Sequence, residues 1–93
     1  MAKINYYDVE SLRNINEKRV LDMLPFFLER NAQVCACGNC ALDIAAITLN
    51  NIKPCYQVSE ESIEKARKKV TDEEVYRQMT AAARLVDLNP RHD

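Results

Sequence analysis

Three of the four cysteines, Cys35, Cys37 and Cys40, fall within six residues. A chain that crowds three thiols together must turn sharply there. Inside the C-x-C-x-x-C pattern lies Gly38, the only glycine, which suits a tight knuckle whose backbone amides point at the sulfurs. Zinc takes soft, deprotonated ligands about 2.3 Å away in a tetrahedron, and three sulfurs this close in sequence surround one ion with little loss of chain entropy. Cys40 is expected to open a helix, whose N-terminal dipole favours its thiolate. One structural zinc ion held by Cys35, Cys37 and Cys40 is the first expectation.

Cysteines can also form disulfides, a redox C-x-x-C pair or plain buried thiols. Met1 to Tyr7 lacks a long apolar region, and no stretch approaches the roughly 20 apolar residues of a membrane span. These features predict a cytoplasmic protein, where thiols stay reduced and metal binding is favoured over disulfides. The β-α-β pattern that would support a thioredoxin-like pair is absent.

Only one Gly and three Pro punctuate the 93 residues, and no β-type alternation runs far. The expected fold is all-α, a single domain over residues 1–93 of about four to five helices. At 47% hydrophobic residues its core is small and gains from a metal or a second subunit. Val20, Leu21, Leu24, Phe27 and Leu28 form one helical stripe, with Asn14 followed by Glu17 as its N-terminal cap and Pro25 expected to kink or break it. A second helix is predicted from about Cys40 to Asn50, facing the core through Leu42, Ala45, Ala46, Leu49 and Ile52. After a connector over residues 51–58, Ser59 starts a further stretch that bends at the capping box of Thr71 and Glu74. Val75, Met79, Ala82, Ala83 and Val86 mark the inner face of the last helix, which Asn89-Pro90 ends.

Cys55, Asp43 and His92 are candidates for a fourth ligand. A helix of about 11 residues carries the chain roughly 16 Å from the metal before Cys55, and four extended residues return only about 13 Å. Asp43 is one turn past Cys40 and could ligate or act as an outer partner, although a first-turn acid also suits the helix dipole. His92, the only histidine, follows the helix stop on a tail free to reach a nearby site.

The run C-A-C-G-N-C-A-L-D-I-A-A-I-T-L-N-N-I-K-P-C-Y, residues 35–56, with N-P-R-H at 89–92, resembles the late competence development protein family, ComFB, of bacteria. The likeness covers most of the chain. It implies a helical homodimer with zinc in the cysteine-bearing branch, and it favours His92 over Cys55 as fourth ligand. Cyanobacterial relatives are similar to receptors for cyclic dinucleotides, chiefly cyclic di-GMP. Carried over, that activity would use Asn50, Pro54 and Tyr56 on a base, with Lys53 meeting a phosphate. In a purely structural role Asn50 caps a helix, Pro54 stiffens a turn and Tyr56 fills a core edge.

The expected function is that of a zinc-binding, non-enzymatic regulatory or adaptor dimer of the late competence type, acting on a protein partner the residues do not identify. A cyclic di-GMP or cyclic di-AMP receptor is the alternative. A zinc-dependent thiol enzyme is a second alternative, and would need an exposed low-pKa cysteine or an open metal position beside a general base. Nucleic-acid binding is disfavoured by the net charge of -1. The basic cluster Lys65, Arg67, Lys68 and Lys69 spreads around a helix, as on a solvated face.

Overall fold

A short antiparallel pairing, absent from the sequence-based expectation, closes one end of the molecule. In the computed structural model, which describes residues 12–57 and 63–90, β1 (Arg13–Asn14) pairs with β2 (Tyr56–Gln57), Arg13 opposite Gln57 and Asn14 opposite Tyr56. Two residues per strand are too few to show a period in the sequence. The rest is helical: α1 (Ile15–Arg30), α2 (Gly38–Asn50), α3 (Ile63–Lys69) and α4 (Asp72–Leu88). Four helices among the described residues agree with an all-α domain.

Asn14 caps α1 as expected, its side-chain oxygen accepting from Asn16 N at 3.1 Å. Of the kink or break expected at Pro25, the break does not occur: α1 runs on through that residue. The missing donor frees the carbonyl one turn back, at Leu21, and both residues are exposed, so water can satisfy it while Val20, Leu24 and Phe27 stay buried. That outward position also removes Leu21 from the predicted stripe, where it is 49% exposed.

α2 is rotated relative to the predicted phase. Of the predicted inner face Ala45 and Ile52 are buried and Leu49 packs against the core, whereas Leu42 and Ala46 are exposed and Cys40, Ile44 and Thr48 point inward instead. Once Cys40 turns inward, the residues four and eight further on must follow it. Thr48 is tolerated there because its hydroxyl donates to the Ile44 carbonyl at 2.8 Å. The helix ends at a cap formed by Asn51 rather than Asn50.

α3 and α4 are two helices with a bend between them. Thr71 caps α4 by accepting from Glu74 N at 3.1 Å. The expected start at Ser59 lies outside the described residues. Val75, Met79, Ala82, Ala83 and Val86 are all buried, as their spacing predicts. α2 lies chiefly against α4 and then α1, and their shared core is filled largely by Val20, Phe27, Ile44, Val75 and Met79.

A buried polar chain ties these elements together, and hydropathy patterning does not reveal it. Asn14 Oδ1 also accepts from Cys55 N at 3.0 Å, while Asn16 Nδ2 donates to the Lys53 carbonyl at 2.7 Å. The Arg19 guanidinium donates to Asn16 Oδ1, the Val70 carbonyl and Asp72 Oδ1 at 2.8, 2.7 and 2.9 Å. One side chain on α1 thereby holds the start of α4. Asp72 also meets Arg67 at 3.3 Å, and the other basic residues of α3 are exposed.

Candidate metal centre

The loop leaving α1 delivers the cysteines to the first turn of α2. Asn31 pins its start by donating through Nδ2 to the Phe27 carbonyl at 2.8 Å and to Tyr76 Oη at 3.0 Å. Val34 N then closes a turn on the Asn31 carbonyl at 2.9 Å. Cys37 is the N-cap of α2, with φ -66° and ψ 159°, and its Sγ accepts from Cys40 N at 3.5 Å. The knuckle therefore begins α2 at Gly38, two residues earlier than predicted. Gly38 is not required by a left-handed turn: no positive φ occurs among the described residues, and a β-carbon added to it would meet nothing within 4 Å.

The cysteine ligand atoms all lie within 4.8 Å of one another. In a tetrahedral site with 2.3 Å bonds, neighbouring sulfurs sit about 3.8 Å apart, so closing on zinc asks for movements of about 1 Å. The donor set fits that metal: three soft sulfurs, one carried by a helix and two by the preceding loop. Cys35 is exposed, Cys37 half-buried and Cys40 buried. Burial, then hydrogen bonds with Cys37 and Cys35 and their charges, push the Cys40 thiol up to about 12. The helix dipole expected to favour its thiolate is thus outweighed.

A metal must displace that proton. Apparent zinc affinity is therefore expected to rise with pH through neutrality, Cys40 alone contributing about tenfold per pH unit while its thiol stays protonated. A competition titration with a chromophoric chelator between pH 6 and 8 checks this; a flat profile would mean that Cys40 is not a ligand.

Cys55 stands apart from the cluster. It is buried beside β1, its carbonyl accepting from Ile15 N at 2.8 Å and its Sγ from Gln57 Nε2 at 3.2 Å. Asp43 is half-buried on α2 and does not join the clustered ligand atoms. His92 lies outside the described residues. The last described residue, Pro90, lines a cavity of about 350 Å³ together with Cys35, Cys40, Phe27 and Asn31. Asn50, Lys53, Pro54 and Tyr56 are all exposed on the connector side, Tyr56 at 62%, so this ring does not fill a core edge.

The family model of late competence development protein ComFB matches residues 13–90, taking in the cysteine knuckle and all four helices. The chain belongs to the ComFB family. No curated protein and no solved structure matches it. The ComFB match includes Asn89 and Pro90 and ends before Arg91 and His92. Among the described residues no helix is long and apolar enough to cross a membrane.

Proposed function

We propose that this ComFB family member is a zinc-stapled, non-enzymatic regulatory or adaptor protein that works as a homodimer in the cytoplasm. The observation that carries the reading is the convergence of Cys35, Cys37 and Cys40 at the first turn of α2. Zinc there would clamp the loop after α1 to the helix that packs on α4, and its binding energy would add to folding. His92 is the proposed fourth ligand. Two residues beyond Pro90 reach at most about 7 Å, and Pro90 already borders the cavity shared by Cys35 and Cys40. Four protein ligands close a zinc site to substrate, which argues for a structural rather than catalytic role.

The dimer reading rests on apolar surface left outside. Leu42, Leu85 and Leu88 are 63%, 53% and 75% exposed. Leu42 and Ala46 lie one turn apart on α2, and Leu85 and Leu88 one turn apart on α4. Helices with a second apolar stripe gain by covering it with another copy or with a protein partner.

Metal analysis with sedimentation of the full chain tests both parts. The expected result is one zinc per chain and the mass of a dimer. Because lost outer partners of a metal site already cost about 10–100-fold in affinity, His92→Ala should weaken zinc by about a hundredfold or more. Cys55→Ser should leave zinc content unchanged. A chain purified without zinc, or a monomer at all concentrations, sinks the corresponding half. The exposure of Tyr56 favours one second reading, a cyclic dinucleotide stacked on that ring. Calorimetry with cyclic di-GMP and cyclic di-AMP, beside Tyr56→Ala, decides it.

A further inference from the structure

The cysteine cluster straddles the protein surface. Cys35 sits exposed on the loop between α1 and α2, while Cys40 has no exposed surface and is held by its helix. A centre whose task is only to hold a fold gains from covering every donor; this one leaves a sulfur where small oxidants can reach it. Cys35 and Cys40 line the same cavity, which Cys37 does not border. A disulfide bond is about 2.05 Å long, so sulfurs starting within 4.8 Å need to approach by less than about 3 Å.

We propose that the cluster is a peroxide-oxidised switch in which a Cys35–Cys40 disulfide forms and the zinc is released; this rests on the metal-centre reading above. The Cys35 thiolate attacks one oxygen of hydrogen peroxide. An S–O bond forms, the O–O bond breaks, and the departing hydroxide takes a proton to become water. The Cys40 sulfur, which would already be deprotonated as a zinc ligand, then attacks the sulfenic sulfur. The S–S bond forms, the S–O bond breaks, and a second hydroxide is protonated to water. Two thiolates lose two electrons in all, and one peroxide is reduced to two waters with two protons consumed. A zinc ion held by these residues would lose two of its donors, and its loss would loosen the first turn of α2, the helix that carries Leu42 outward, so oxidation would reach the proposed docking face.

The test treats the zinc-loaded full chain with hydrogen peroxide and follows zinc with a chromophoric chelator, alongside intact mass and peptide mapping. The expected result is release of the zinc in step with a loss of about 2 Da, mapped to Cys35–Cys40 and reversed by dithiothreitol with added zinc. Cys55→Ser should not change the peroxide-driven release. A trap for sulfenic acid, applied briefly to the unaltered chain, should mark Cys35 before Cys37 or Cys40. Zinc retained in excess peroxide, a disulfide through Cys55, or first marking at Cys37 or Cys40 overturns the proposal while the metal-centre reading stands. A chain that binds no zinc overturns both.

Discussion

Chelating zinc from the purified chain should lower its melting temperature by about 15–30 °C. Free zinc at a thousand times its dissociation constant stabilises a folded site by about 4 kcal/mol, and each kcal/mol is worth about 4–8 °C in a domain of this size. Apart from any ion, the knuckle is tied by the turn at Asn31 and Val34 and by hydrogen bonds from Cys40 N to Cys37 Sγ and from Ala41 N to the Cys37 carbonyl, so the loss of zinc would be felt there. Cys40→Ala should reproduce the chelated melt, because it removes the ligand most deeply set in the core. Calorimetric melts with and without a chelator provide the measurement. A shift of only a few degrees would mean that the three sulfurs sit together without a metal that matters to the fold.

Replacing Arg19 by Ala should cost about 3–5 kcal/mol in urea unfolding, comparable to breaking other buried charged networks. Arg19 is buried and donates to acceptors on α1, before α4 and at its first residue. Truncation leaves the Asn16 side-chain oxygen and the Val70 carbonyl without this donor, and each unmet buried group costs about 1–3 kcal/mol. The wild-type arrangement is itself imperfect, since Arg19 Nε has no hydrogen-bond partner among the described residues. Arg19→Lys should recover little, because a point-like ammonium cannot span three acceptors set for a planar fork. Asp72→Asn should cost only about 1 kcal/mol, because that carboxylate is half exposed. A loss below about 1 kcal/mol for Arg19→Ala would show that water replaces the bonds.

The pH dependence of that network has a definite sign. The Arg19 hydrogen bond, with help from Arg67 and against partial burial, holds the Asp72 carboxyl below its ordinary value of 3.8. A carboxyl lowered in the folded state contributes stability above that ordinary value, and the contribution is lost as pH falls through the lowered one. In Arg19→Ala this part of the acid dependence should shrink.

Local patterns carried the sequence reading where it succeeded. The inner face of α4, the Thr71 cap and the Asn14 cap rest on residues two to four positions apart, so neighbouring side chains and backbone amides decide them without the rest of the fold. The cysteine knuckle is equally local, and its three sulfurs meet as their spacing implied.

Contacts over long separations decided the rest. α2 contains apolar residues on most sides, so hydropathy alone could not choose between a face through Leu42 and one through Ile44; packing on α4, with Cys40 turned inward, set the phase. Cys55 looked like a possible ligand because it is a cysteine, yet the connector folds back onto Asn14, 41 positions earlier, and places it buried just before β2. Arg19 reads as an ordinary polar position in a helix, and acceptors 51 and 53 residues away join the nearby Asn16 in making its burial tolerable. The sequence by itself determined the helices, their caps and the grouping of three thiols, because hydrogen bonds and side-chain contacts within one turn suffice for them. The tertiary structure alone decided which faces turn inward, which cysteine stays out of the cluster and where a buried charge finds its partners, because desolvation is offset only by groups that folding brings from far along the chain.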